Sequence, residues 1–206
     1  MAVRITFLRH GKTKGNLEHA FIGRTDQPLC VEGRQELTCA KEHGRYPLAE
    51  LVIVSPMKRC LETAQILYPS VTAQIVEGLR ETDFGDFEGK THRQLKAFPQ
   101  YHTFLQENGK NGFPNGETLE GADRRMRTAW EQVVPSLFRS GKTEITVVAH
   151  GGTVMNLLSA YGCPKRDYYD WQCENGDGWL VEVTPEQWEK KRFSVVGKLS
   201  QLEGQA

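Results

Sequence analysis

The sequence predicts a three-layer α/β/α sandwich with a mixed, mainly parallel sheet, and three observations carry that prediction. A single plan recurs along the chain: a short apolar run stops at small or polar residues and a stretch with helical spacing follows. A long amphipathic repeat in the second half supplies a covering helix. Two late β-prone runs next to a turn-rich segment supply an antiparallel edge to the sheet.

Taken in order, the first unit is Val3 to Leu8 running into Arg9-His10-Gly11. The second is Leu51 to Val54 running into Ser55-Pro56, where Ser55 suits an N-cap and Pro56 a first helical position, so a helix carrying Arg59, Ala64 and Leu67 is expected there. Between residues 89 and 118 the periodicity weakens, and residues 108–116 read as a turn-rich loop; this stretch is expected to be a lid-like insertion. Leu119, Ala122, Met126, Ala129, Trp130, Val133 and Leu137 then recur at three and four residues, which predicts a long helix lying on the sheet. The third unit is Ile145 to Val148 entering Ala149-His150-Gly151-Gly152. Asn175-Gly176-Asp177-Gly178 precedes the strand-like Trp179 to Val183, and Phe193 to Val196 follows. No repeat or linker divides the chain, so residues 1–206 are expected to form one domain.

Lys plus Arg equal Asp plus Glu at 26 each, which removes any global field for nucleic acid or an anionic membrane surface. Neither partner is expected. The five cysteines are scattered, with no spacing for a zinc site or a redox dithiol, and predict reduced thiols in a cytoplasmic protein. The run at Val3 to Leu8 is too short for a signal peptide or a membrane span.

Ligands of open α/β sheets bind at the carboxyl ends of the strands, where helix N-termini point N–H groups at the site. The three junctions therefore converge, and they bring Arg9, His10, Arg59 and His150 together. Two guanidiniums and two imidazoles repel one another unless an anion sits among them, and a tetrahedral phosphate fits forked arginine donors. His10, as a neutral imidazole, is suited to attack phosphorus, with Arg9, Arg59 and His150 stabilising the charge on the equatorial oxygens and Asn16 adding a donor. A leaving alkoxide also needs an acid whose pKa is raised towards neutrality. Glu81 is the expected donor, with Asp83 as its rival. Glu88 and Glu117 are expected to cap helices or orient arginines, or to take part in the site. Lys12 is expected to be solvated, with a place at the pocket rim as the alternative. His19, His43, His92 and His102 are expected to be solvated, as is the cluster Arg124, Arg125 and Arg127. Gly-Lys-Thr occurs at Gly11, Gly89 and Gly141, but the glycine that a phosphate-binding P-loop needs five positions earlier is missing each time.

These residues resemble the histidine phosphatase, or phosphoglycerate-mutase-like, superfamily across most of the chain. The resemblance rests on Leu8-Arg9-His10-Gly11-Lys12-Thr13 with Asn16, on Gly23, Asp26, Pro28, Leu29 and Gly33, and on Ser55-Pro56 with Arg59, Thr63 and Ala64. It extends through Leu79, Glu81, Phe84-Gly85, Glu88-Gly89 and Ala149-His150-Gly151-Gly152. It implies the phosphoglycerate-mutase-like fold and a phosphorylated His10, with Glu81 as proton donor and a phosphate pocket of Arg9, Arg59 and His150. It also implies support from Asn16 and from backbone near Gly23 and Gly151, and no metal or cofactor. Within the superfamily, Leu79 to Gly89 with Asn115 to Thr118 is most similar to the alpha-ribazole phosphatase branch, which acts in cobalamin biosynthesis. The expected activity is hydrolysis of a small phosphorylated metabolite through a phosphohistidine. The alternatives are a phosphoglycerate-mutase-type phosphotransferase, a non-catalytic phospholigand-binding module, and a metal phosphoesterase with His10, His150 and Asp83 as ligands. The oligomeric state does not follow from the sequence.

Overall fold

A computed structural model describes residues 1–107, 109 and 111–202. Of the turn-rich stretch expected at 108–116, residues 108 and 110 lie outside the described ones. In chain order the strands are β1 (Val3–Arg9), β2 (Leu51–Val54), β3 (Ala73–Ile75), β4 (Glu144–Ala149), β5 (Gly162–Cys163), β6 (Gly178–Val183) and β7 (Phe193–Lys198). The helices are α1 (Lys14–Leu17), α2 (Val31–Glu42), α3 (Lys58–Leu67), α4 (His92–Leu95), α5 (Pro99–Gln106), α6 (Leu119–Ser140), α7 (Gly151–Tyr161), α8 (Pro185–Glu189) and α9 (Leu199–Leu202).

One sheet of order β3-β2-β4-β1-β6-β7-β5 joins the strands. β1 pairs parallel with β4, and β2 parallel with both β4 and β3. β6 runs antiparallel to both of its neighbours, β1 and β7, and β5 pairs parallel with β7. The sheet is therefore mixed and mainly parallel, as expected. The antiparallel strand is internal, however, and not an edge, because the hairpin-like β6 inserts beside β1 and β7 returns outside it.

Both faces of the sheet are covered, which follows from the alternation of side chains along each strand. Val3, Ile5 and Phe7 of β1, Ile53 of β2, and Ile145 and Val147 of β4 join Trp130 and Val134 of α6 and Val154 and Leu157 of α7 in one core. Leu8, Val52, Val54 and Val148 point the other way and meet Leu37 of α2, Cys60 and Ala64 of α3, and Leu199 of α9. Trp130 and Trp179 are core residues as expected, and Trp171 and Trp188 prove to be buried too.

The second junction differs from its prediction. The helix starts at Lys58 with Met57 at the cap position, two residues later than Ser55 would place it. The Ser55 hydroxyl is instead committed to His150 Nε2 at 2.7 Å. After β1 the chain makes only the short α1, capped by a reciprocal Thr13–Asn16 box, and α2 follows a loop. Between 89 and 118 the chain does hold helices, α4 and α5, which were too short and irregular to show a period. With Phe84 and Phe87 before them, they enclose a third, aromatic cluster of Phe87, Leu95, Tyr101 and Phe113.

Among the described residues, no helix is long and apolar enough to cross a membrane.

Candidate active site

Strand order explains why distant sequence elements meet. β2, β4 and β1 are adjacent, with Val54 opposite Val148 and Arg9 opposite Ala149. The residues that follow their carboxyl ends, Ser55, His150 and His10, are therefore brought to one level. The two imidazoles lie with ring centroids 5.2 Å apart, inclined at 67°.

His10 is almost fully buried, and its Nδ1 lies 2.6 Å from the carbonyl oxygen of Gly11. A carbonyl can only accept, so Nδ1 carries the proton and Nε2 keeps its lone pair. Burial, and then the Arg59 charge, hold the His10 pKa well below its ordinary value, against an opposing pull from the Gly11 carbonyl. The ring is thus neutral with one nitrogen free to attack. Its backbone is fixed by an N–H bond to Ala149 O at 3.0 Å, and Gly11 N donates to Thr63 Oγ1 at 3.0 Å.

Arg59 and His150 are 0% exposed and form the floor behind His10 rather than the pocket wall. Arg59 Nε donates to His150 Nδ1 at 3.2 Å, and its terminal nitrogens donate to Thr25 O at 2.9 Å and Gly23 O at 2.8 Å. Since His150 Nδ1 accepts, Nε2 carries the proton and donates to Ser55 Oγ. Burial, then Arg59, His10 and Arg9, lower the His150 pKa well below its usual value. A full positive charge thus sits beneath two neutral imidazoles with no carboxylate among the described residues bonded to it, an arrangement that favours an anion above.

Arg9 provides the most direct sign of one. Its terminal nitrogen donates to Cys173 O at 2.8 Å, while its buried Nε finds no hydrogen-bond partner among the described residues. A buried donor left without an acceptor is unfavourable by about 1–3 kcal/mol unless something fills the role. The first residues of α7 sit against it, and an alanine methyl at Gly151 would lie 3.4 Å from Arg9 Nε. At the first position of α7, the Gly151 N–H has no acceptor within the helix. Asn16 turns its carboxamide oxygen to Thr13 N, Thr13 Oγ1 and Asn175 Nδ2, which leaves its NH2 as the end available to the pocket.

Glu81 is buried beside this group. One carboxylate oxygen accepts from its neighbour Thr82 N at 2.9 Å, the other from Gly152 N at 3.2 Å. A Cβ at Gly152 would approach Glu81 Oε1 to 2.6 Å, so the glycine is what lets the carboxylate reach the α7 terminus. Asp83 is held elsewhere, by Arg24 at 3.1 Å and Gly85 N at 2.9 Å. Arg9, His10, Asn16, Glu81, Gly151 and Gly152 all line one open pocket of ≈ 820 Å³, and Asp83 does not.

Some expectations need correction. Gly23 offers no N–H to a ligand: its amide goes to Glu88 and its carbonyl to Arg59, so it serves the floor from behind. Arg125 is not a solvated neighbour of Arg124 and Arg127. It makes a two-pronged ion pair with Glu117 at 2.8 and 2.6 Å and donates to the carbonyls of Gly78 and Arg80, fixing the chain that carries Glu81. Glu117 also accepts from Asp83 N at 3.0 Å. His19 and His92 are exposed, as expected, and both also line the pocket. Asn175, read only as part of a turn, donates to His10 O at 3.0 Å and lines the pocket. The capping role of Glu88 takes a broader form: it accepts from the amides of Gly23, Arg24, Thr25 and Phe84 and from the Thr25 hydroxyl. His10, His150 and Asp83 are not gathered as metal ligands, and among the described residues no group of three His, Cys, Asp or Glu is placed to hold a metal ion.

Comparison with known proteins converges on the same place. The histidine phosphatase superfamily (branch 1) is matched over residues 5–196. PhoE of Bacillus subtilis, an uncharacterized phosphatase, is 28% identical over 202 residues, covering 95% of this chain and 96% of the relative. Glucosyl-3-phosphoglycerate phosphatase of Mycolicibacterium vanbaalenii is 30% identical over 166 residues, 76% of this chain and 73% of the relative. The alpha-ribazole phosphatase from Shigella flexneri superposes with a TM-score of 0.79 at 21% identity, covering 95% of each chain, and shares the fold. A mycobacterial glucosyl-3-phosphoglycerate phosphatase superposes with a TM-score of 0.76 at 26% identity, covering 94% of this chain and 97% of its own.

Proposed function

The chain belongs to the histidine phosphatase superfamily, and we propose that it hydrolyses a small phosphomonoester by way of His10, without a metal or cofactor. The observation that carries this reading is the neutral His10, with Nδ1 pinned to Gly11 O, beside the partnerless Arg9 Nε.

In the first step the Nε2 lone pair of His10 attacks phosphorus and the bond to the leaving oxygen breaks. Glu81 hands its carboxyl proton to that oxygen, so the product leaves as a neutral alcohol. Arg9, Asn16 and the α7 N-terminus at Gly151 face the equatorial oxygens, while Arg59 and His150 act from the floor, where the absence of water makes a fixed charge effective. In the second step water attacks the phosphohistidine and Glu81, now a carboxylate, takes its proton. The phosphorus–nitrogen bond breaks, and its electron pair returns to Nε2 as inorganic phosphate departs. Gly23 supports Arg59 and does not touch the substrate.

Alpha-ribazole phosphate is the substrate candidate carried by the sequence around Glu81. The fold likeness does not select it, since phosphatases named for a different substrate share that fold. The segment 89–118 acts as a lid, its His92 reaching the pocket mouth. With five free thiols, two of them buried, and no net charge, the protein is assigned to the cytoplasm, with a phosphorylated metabolite rather than nucleic acid or membrane as its partner.

The test is phosphate release from a monoester panel including alpha-ribazole phosphate and phosphoglycerates, on wild type and His10→Ala. Free phosphate should accumulate with wild type alone. Transfer to a second hydroxyl without free phosphate would mean a mutase, and equal release by both proteins would remove His10 as nucleophile.

A further inference from the structure

The leaving oxygen must lie at Glu81, so the rest of the substrate extends from Glu81 towards the mouth of the pocket. One wall of what it meets there is apolar and partly aromatic, facing the polar side chains of His19, His92, Gln172 and Asn175. Phe84 lies three residues beyond Glu81 and packs edge-on against Phe21, with ring centroids 5.4 Å apart. Ile22 and Met155 extend the same lining. The two rings are also backed by the buried Phe87–Phe113 cluster, which holds them in place when a substrate group presses on them.

Charge in the outer pocket points the same way. Among the described lining residues the only Lys or Arg side chains are Arg9 and Lys12. Arg9 faces the phosphate, and Lys12 is already paired with Glu36 at 2.6 Å. Glu174 also lines the pocket and faces the Lys12 charge, so the outer lining carries a carboxylate of its own. A carboxylate or second phosphate on the leaving group would therefore lose water, meet no unpaired Lys or Arg among the described lining residues and be repelled by Glu174.

Building on the hydrolase reading above, we propose that the substrates are phosphomonoesters whose leaving alcohol carries an aromatic or apolar group and no further negative charge. Substrates of the phosphoglycerate type, which carry a carboxylate, are disfavoured. Phe21 and Phe84 select for the ring by burying it, and Glu174 selects against the second anion.

Three monoesters of unactivated alcohols test this: benzyl phosphate, glycerol 1-phosphate, which is polar but uncharged beyond the phosphate, and phosphoglycolate, which carries a carboxylate. Burying a ring predicts a kcat/KM for benzyl phosphate about tenfold or more above glycerol phosphate. The misplaced carboxylate should put phosphoglycolate about tenfold or more below glycerol phosphate. Phe84→Ala should pull the benzyl-to-glycerol ratio towards one, and Phe84→Leu, which keeps the lining apolar, should retain most of it. Glu174→Lys should raise phosphoglycolate relative to glycerol phosphate. Phosphoglycolate turned over as well as benzyl phosphate, or ratios unmoved by both Phe84→Ala and Glu174→Lys, would overturn the substrate class. Failure of the hydrolase reading looks different: His10→Ala would then release as much phosphate as wild type from all three esters, and this proposal would fall with its premise.

Discussion

The floor of the pocket and the aromatic cap beside it are both buried, yet they are built on opposite principles. The floor is polar and fully committed, with Arg59, His150 and Ser55 linked by hydrogen bonds at 0% exposure. The cap of Phe84, Phe87, Tyr101, Phe104 and Phe113 is held mainly by ring contacts that have no obligatory donor or acceptor, the Tyr101 hydroxyl being bonded to His92 Nδ1. A misplaced group in the floor leaves a charge or a carbonyl without its partner, whereas a changed ring in the cap leaves a void that neighbours can partly fill. Chemistry that depends on charge placed in advance belongs in the first environment. Recognition of a shape belongs in the second.

Mutations should separate the two regions cleanly. The largest effect is expected at His10→Ala, which removes the nucleophile and should lower kcat about 10⁴-fold or more in a steady-state phosphate assay, with Tm little changed. Glu81→Gln should follow, with a loss of about 10²–10⁴-fold on an alkyl monoester. That loss should shrink on p-nitrophenyl phosphate, whose leaving group needs no proton. Asp83→Asn, in contrast, should stay within about threefold of wild type, because its carboxylate is turned to Arg24 and Gly85 and away from the pocket. An equal loss at Asp83 would exchange the two acids.

In the cap, Phe87→Ala should cost about 3–5 kcal/mol in denaturant unfolding while kcat on a small polar ester falls much less than in His10→Ala or Glu81→Gln. A collapse of kcat to the His10→Ala level would show that cap and floor do not divide the work.

The smallest effect is on pH. His10 and the floor residue His150 both have folded pKa values held below 6.5, so the unfolded chain binds protons that the folded chain refuses. Their contribution is complete above pH 6.5 and is lost as pH falls from there towards the lowered folded values. Each histidine should add roughly 1 kcal/mol per pH unit to the slope of stability in that window. His150→Asn should flatten the slope measured by urea unfolding, and an unchanged slope would show that His150 is protonated in the folded chain.

The same division sets what could be read from the sequence. The floor was legible because its residues end strands: apolar runs closing at His10 and His150 announce both the element and the side chain. Arg59 was legible for a related reason, although Ser55 was assigned to its helix cap when its hydroxyl serves His150. The helix spacing of α6 was plain, but the same spacing hid Arg125, since a period tells which face a residue is on and not what loop crosses that face. Asn175 went unread, and Glu88 was read without its partners, because those partners, His10 O and the amides of residues 23–25, are backbone atoms more than sixty residues away. Nothing in a residue's own neighbourhood reports such a partner. The cap helices α4 and α5 were missed because they are too short to establish a period.

Glu88 and Glu117 stand at the two ends of the 89–118 segment, and each is bound to the body of the protein, one through the amides of Gly23, Arg24 and Thr25, the other through Arg125. The stretch between them is thus clamped at its entry and its exit like an interchangeable cassette. Its length and rings can be rewritten without moving either clamp, so the backing behind Phe84 can be reshaped while the reaction stays where it is.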